Sequence, residues 1–343
     1  MQRVFFALVI FTTISFAQES NEDTTGLKDA VQSFLGLNQP KLGFMAQFAG
    51  EVYDHNHYTS STFTIRNLRM YFTGSVGEHF KFLFQGDLNG SYQMLDLKLS
   101  YILNEHLRID GGRFKTPFGE EYLVNDAKLL FVNRSMAASN IGTFRKYGLQ
   151  VQSSLLEKRL TIAAGAFNGE NTYPKKISLF IGKVKTIPIT FGDILPDLQI
   201  EAGGSVAYTN KEYDLPSYFT FVRNNHILYN ASTKLIYHKY WFGSEYYVTT
   251  SNRVGSQEGI YVDLGGAISA SWEVVGRFDW FAYRHDVYHD STSQSILSIS
   301  RNYLIGINYY PINYIKLQLD FERDYTNKIN WAWLNFQYAI NFE

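Results

Sequence analysis

The chain of 343 residues contains no cysteine. That excludes a disulfide framework, a thiolate metal site and a cysteine nucleophile. Beyond a short N-terminal run, no stretch approaches the roughly 20 continuous apolar residues of a transmembrane helix. Charge of one sign is lacking too: 31 basic side chains stand against 32 acidic ones, for a formal net charge of −1. That balance argues against nucleic acid as a partner and against a polybasic membrane patch. Gly-x-Ser-x-Gly elbows, phosphate-cradling glycine loops and His-Glu-x-x-His are all missing. So is any repeat of 20–50 residues that would mark a propeller or solenoid. No cofactor is implied.

What is present is aromatic and alternating. Tyr 25, Phe 27 and Trp 5 accompany Gly 26, while the mean hydropathy is slightly negative. Apolar residues interleaved with polar ones produce that combination in a membrane-spanning β-barrel. The last residues show it best. Leu334, Phe336, Tyr338, Ile340 and Phe342 fall on one side of an extended strand, with Asn335, Gln337, Ala339 and Asn341 on the other. A soluble sandwich could use such a strand, but at this C-terminal place it looks like the closing strand and sorting signal of an outer-membrane barrel.

The N-terminus agrees. Met1 to Arg3 is a short basic start, Val4 to Ile14 an apolar run, and Ser15-Phe16-Ala17 a small-x-small cleavage site. Residues 1–17 therefore read as a secretory signal peptide. Polar residues 18–40 read as a periplasmic leader, and residues 41–343 as the barrel. From Lys41 onward, alternation gives about 16 antiparallel strands of roughly ten residues, suited to crossing a bilayer at a tilt. A break between Arg66 and Leu68 predicts a bulge in the second strand. An even count puts both termini on the periplasmic side.

Connections test this independently, because such barrels have short inner turns and longer outer loops. Val76–Glu78, Asn104-Glu105, Glu157-Lys158, His238-Lys239, Ala270-Ser271 and Pro311–Asn313 are short. One inner link, Ile187 to Asp197, is longer and carries two prolines. The outer links include 113–146, 210–225 and 284–300.

Two segments carry a family likeness: Phe63 to Gly74 with Phe82 to Asp87, and Gly112-Arg113-Phe114-Lys115-Thr116-Pro117-Phe118-Gly119-Glu120 continuing through Asn133-Arg134-Ser135 to Gly148. Over residues 60–150 the chain resembles the phosphate-selective porin O/P family. The resemblance implies a sixteen-stranded channel of a Gram-negative outer membrane, often trimeric, with the third outer loop folded into the lumen. The family's phosphate selectivity rests on a dense ladder of lumenal Arg and Lys, and the charges here are more mixed than that.

With the greasy face on lipid, the opposite face lines the pore. It carries Arg66, Arg69, Lys81, Lys98, Arg108, Lys234, Arg277 and Lys316, against acids including Asp87, Asp96, Asp110, Glu245, Asp263 and Asp279. An Arg or Lys turned to lipid at the midplane would cost about 2–4 kcal/mol. A constriction is expected at Arg113, Lys115, Glu120, Glu121, Asp126, Lys128 and Arg134, where opposed charges would set a transverse field. Trp241, Trp272, Trp280, Trp331 and Trp333 are expected in the interfacial girdles. His55-Asn56-His57 and the pairs His285-Asp286 and His289-Asp290 have ligand-like chemistry, yet lie on loops where solvated side chains are the plainer account.

The function these features imply is a non-enzymatic, water-filled channel for small hydrophilic solutes or ions, including anions such as phosphate. Its partners would be outer-membrane lipid and further copies in a homotrimer. Alternatives are a plugged substrate-specific transporter, a barrel hydrolase or an adhesin.

Overall fold

The structure, a computed structural model, describes residues 37–56, 58–168, 177–186, 188–191, 195–209, 226–251, 256–289 and 292–341. The predicted signal peptide, most of the predicted leader and the outer link 210–225 lie outside these residues.

The chain forms β1 (Leu37–His55), β2 (Tyr58–Val76), β3 (Phe80–Asp87), β4 (Gln93–Asn104), β5 (Leu107–Lys115), β6 (Arg145–Leu155), β7 (Leu160–Asn168) and β8 (Ile177–Thr186). It continues with β9 (Ile189–Phe191), β10 (Leu195–Thr209), β11 (His226–Tyr237), β12 (Tyr240–Ser251), β13 (Gln257–Ala267), β14 (Trp272–His289), β15 (Thr292–Ile312), β16 (Ile315–Asp324) and β17 (Ile329–Ile340). All belong to one 17-stranded sheet in which neighbours along the chain pair antiparallel. Because β1 pairs with both β2 and β17, the sheet closes on itself. β9, of three residues, is an accessory to β10, which leaves the 16 staves of a closed barrel. Closure leaves no open sheet edge, as hydrocarbon requires.

Side chains sort as the alternation predicts. On β17, Leu334 and Phe336 are 54% and 43% exposed, whereas Asn335 and Gln337, alternating with them, are buried. Phe63, Ile65, Phe80, Leu97, Leu99, Leu149 and Phe321 share the outer surface. The bulge in β2 sits at Arg66: Gln47 faces Asn67 and Phe48 faces Ile65, so Arg66 has no opposite number. The extra residue re-aims one arginine into the lumen without losing the outward phase of the strand.

Three connections differ from expectation. The barrel begins at Leu37 rather than Lys41. The proline-bearing inner link folds back as β9, which covers the stretch of β10 that β8 does not reach. Pro188 has no N–H to donate, so the ladder breaks there and resumes at Ile189. Residues 284–300, expected as an outer loop, are mostly strand, with β14 running to His289 and β15 starting at Thr292. A hairpin satisfies its own backbone in water as well as in lipid, so a polar sequence does not end it. The first hairpin is equally tight and turns through Asn56 at a φ of 48°, a conformation that asparagine tolerates.

Replacing Leu99, mid-strand on the outer face, by Arg is expected to lower folding stability by about 2–4 kcal/mol. Urea titration of protein refolded into vesicles measures this, and Leu99→Phe serves as the near-neutral control.

Candidate functional site

The 29 residues between β5 and β6 enter the barrel. This third loop contains two short 3-10 turns (Glu121–Leu123 and Asp126–Lys128) and α1 (Met136–Ile141). Its entry needs two glycines. Gly112 has φ +123, and a Cβ there would fall 2.0 Å from the Leu97 carbonyl oxygen. Gly119 has φ +73, and a Cβ would fall 2.5 Å from the Tyr247 hydroxyl. Phe114 and Phe118 then lead the chain into an apolar cluster with Ile141, Phe167, Leu179, Leu228 and Tyr247, all on inward positions of the wall or loop.

Polar wall residues hold the loop chiefly by its main chain. The Glu245 carboxylate accepts from the backbone N–H groups of Glu120 (2.5 Å) and Glu121 (3.1 Å), and also from Asn230 and Tyr261. Asp279 accepts from the Met136 N–H and Asp320 from the Val132 N–H, each at 2.6 Å. Carbonyls are caught in the same way. Lys316 and Gln318 donate to Leu129, Asn308 and Gln318 to Leu130, and Gln337 to Ala127. Hydrogen bonds that involve a charged group are worth about 1.5–3 kcal/mol each, so the loop is strongly tethered. The side chain of Ser135 caps α1 through the Ala138 N–H (3.2 Å) and itself donates to Glu121 at 2.6 Å.

Ion pairs complete the anchorage. Arg277 bonds Asp263 (2.6 and 2.7 Å) and Glu121 (2.6 Å), and lies over the rings of Phe131 and Tyr261. Asp126 bridges Arg69 and Arg134, while Arg69 also reaches Asp87 at 3.3 Å. Burial by itself would raise the Asp126 carboxyl, but the neighbouring charges of Arg134, Arg69 and Lys115 hold it well below the usual carboxylate range. Burial raises the Tyr122 hydroxyl. Glu120 is clamped by Lys183 (2.7 Å) and Lys185 (2.9 Å). Arg66 donates to Asn133 at 2.8 Å and lies over Trp333.

Most of the expected pore residues thus meet around the loop, though in different roles. Glu121, Arg277 and Asp279 are buried in loop anchorage. Asp126 pairs with Arg134 of the loop and Arg69 of β2, and Glu120 with Lys183 and Lys185 of β8, so their charges are largely met by near neighbours instead of opposing one another across a gap. Arg108 and Asp110 pair at 3.0 Å on the inward face of β5. Lys115 donates to the Val124 carbonyl at 2.8 Å. Lys128 stays exposed on the loop, and Lys81 is exposed near the short-turn end of β3.

Arg113 is a correction. It shares the outward face of β5 with Ile109, and its guanidinium donates to the Met94 and Leu95 carbonyls and lies 6.0 Å from the Tyr147 ring. Leu95 is the extra residue of a bulge between Gln85 and Gly86 on β3 and β4. Arg113 therefore satisfies carbonyls that the ladder has released on the lipid side. The tryptophans also split. Trp272 stacks on Tyr309 outside, whereas Trp241 donates to Glu273 at 3.2 Å inside. Trp331 and Trp333 follow the inward phase of Asn335 and Gln337. Residues that charge-counting passed over include Arg145, Lys183, Lys185 and the neutral anchors Gln318, Asn308 and Gln337. Among the described residues no group of three or more metal-ligating side chains occurs.

Most of the loop's bonds fall on β1, β2, β8, β10, β12 and the strands from β14 to β17, with Lys115 of β5 adding one. From β2 round to β8 two adjoining cavities, of ≈250 and ≈280 Å³, share Lys115, Leu123 and Gln150 in their walls. Together they present seven basic side chains (Arg69, Lys98, Arg108, Lys115, Arg145, Lys183, Lys185) and four acidic ones (Asp96, Asp110, Asp126, Glu120). This cleft is basic even though the whole chain is balanced.

The fold is that of a porin. An anion-selective porin from Comamonas acidovorans superposes with a TM-score of 0.65 at 9% identity, covering 88% of this chain and 99% of the other. The outer membrane channel DcaP of Acinetobacter baumannii gives 0.62 at 11% identity, covering 89% and 98%. A trimer form of OmpT, an outer membrane protein of Vibrio cholerae, gives 0.60 at 10%, covering 88% and 100%. No curated protein matches the sequence. What these structures share with this chain is the closed antiparallel barrel fold of the porin class. Residues 41–178 match the family model for phosphate-selective porin O and P, to which the chain is similar over that span.

Removing Arg277 leaves the Asp263 and Glu121 carboxylates buried and unpaired, at a cost of about 3–5 kcal/mol. Arg277→Met is expected to free the loop, so that trypsin cuts at Lys128 or Arg134 in folded barrel while the native protein resists. Because the Asp126 carboxyl is depressed below its ordinary 3.8, its contribution is complete above that value and lost only as pH falls through the lower folded value. Trypsin-independent loop release, read by channel noise, is therefore expected to be flat from neutral pH to about pH 4 and to rise in stronger acid. Asp126→Asn is expected to show the acid phenotype at every pH.

Proposed function

We propose that the protein is a passive, non-enzymatic diffusion channel for small hydrophilic solutes, with anions preferred. It would work as a homotrimer, with both termini in the periplasm, the signal 1–17 removed and a leader ending where β1 begins. The basic cleft between the loop and the wall carries this reading. Seven basic side chains against four acidic ones line it, and that excess of positive charge biases permeation toward anions. Lys98 and Lys115 lead the bias, since neither forms an ion pair among the described residues, and Arg108 and Arg145 face one carboxylate each. The anion-selective porin and the trimer among the similar structures support selectivity and assembly. The extensive main-chain tethering supports a fixed constriction rather than a mobile plug.

Purified protein in a planar bilayer under a salt gradient is expected to conduct, with a reversal potential of the anion-selective sign. Lys98→Gln with Lys115→Gln is expected to move that potential toward zero without closing the pore. A protein that folds and inserts but does not conduct would overturn the channel, and a cation-selective potential would overturn the preference.

A further inference from the structure

A larger cavity, ≈470 Å³, adjoins the basic cleft at Glu120 and Lys185 and lies between the loop and the strands from β10 to β14, toward the short-turn end. That volume is in the range of small-molecule sites. Its floor is apolar, formed by Leu129 and Leu130 of the loop and by Ile236 and Trp241, which flank the His238-Lys239 turn. The bond from Trp241 to Glu273 fixes the indole against the wall.

The acids around the cavity are already engaged. Lys185 bonds Glu120 and Glu201, and Arg277 bonds Glu121 and Asp263. Glu273 accepts from Trp241, Asn308 and Tyr310. Two exposed lysines at the cavity, Lys128 on the loop and Lys234 on β11, have no carboxylate partner among the described residues. Positive charge beside a bare apolar floor is complementary to an anion with a hydrophobic body. An inorganic anion would leave that floor wet, and an aromatic cation would meet the lysines.

We infer that this cavity binds an aromatic monocarboxylate, its ring on Trp241 and the two leucines and its carboxylate at Lys128 and Lys234. This rests on and deepens the channel reading by giving the lumen a second, amphipathic station beside the basic cleft.

The test uses 2-naphthoate, with acetate and 2-naphthylmethylamine as controls, on detergent-solubilised full-length protein. Saturation-transfer NMR and calorimetry report binding, and heat-dependent gel migration confirms that each variant is folded. Binding of 2-naphthoate is expected, with acetate and the amine far weaker. Lys128→Gln and Lys234→Gln are each expected to weaken it about fivefold, the effect of one partly exposed ion pair. Bilayer recordings are expected to show 2-naphthoate reducing the current of native protein and sparing the double variant. Absence of binding, equal binding of the amine, or undiminished binding by a folded double variant would overturn the site. Because binding is measured without current, a non-conducting protein that still binds 2-naphthoate would refute the channel and leave the site standing. Should the double variant not fold, the comparison of the three probes on native protein decides.

Discussion

Hydrocarbon offers no partner to a backbone N–H or C=O, and the rest of this structure follows from that. A sheet with a free edge would leave a row of such groups unpaired, so β17 returns to β1 over a register from Phe44–Ile340 to Asp54–Asn330. Once the sheet is closed, its two faces meet different solvents. Alternation then separates Phe336 from Gln337 and Leu99 from Lys98. Where the ladder is interrupted, something else must satisfy it. Arg113 does so on the outside at the Leu95 bulge, and Pro188 is bypassed by β9.

A barrel of this size encloses more space than its own side chains fill, and the third loop occupies much of the remainder. It is held by Glu245, Asp279, Asp320, Asn308, Gln318 and Gln337, which bind its main chain far more than its side chains. Such capture fixes the path of the loop while leaving its side-chain charges free to pair locally, as Asp126 does with Arg69 and Arg134. The lumen around it is asymmetric: a basic cleft from β2 to β8, and beside it an apolar-floored cavity at β10 to β14 with two lysines that have no carboxylate partner among the described residues.

Much of the fold was legible because a lipid-facing strand repeats every two residues, and that repeat survives in a single sequence. The bulge at Arg66 showed as a phase slip between Ile65 and Leu68. The loop's entry was legible through the family resemblance of Gly112 to Glu120, and the structure supplies the reason, since Gly112 and Gly119 both take positive φ. Hairpin lengths were less legible: the polar run 284–300 looks like a loop, yet paired backbone is indifferent to side-chain polarity above the membrane. Phe114, Phe167, Leu179 and Leu228 are equally instructive, since an apolar residue facing inward against a loop looks no different in sequence from one facing lipid.

Composition and periodicity by themselves determined a closed, membrane-embedded barrel with a polar interior, because those properties depend on near-neighbour alternation along the strand. Which charges remain available to a solute was decided only by tertiary structure. Arg277 and Lys234 are both inward-facing cations on spanning strands. One is spent on Asp263 and Glu121, the latter contributed by a loop more than a hundred residues away, and the other is unclaimed. Pairing across such distances depends on where the loop comes to rest in the closed ring, and no local pattern encodes that.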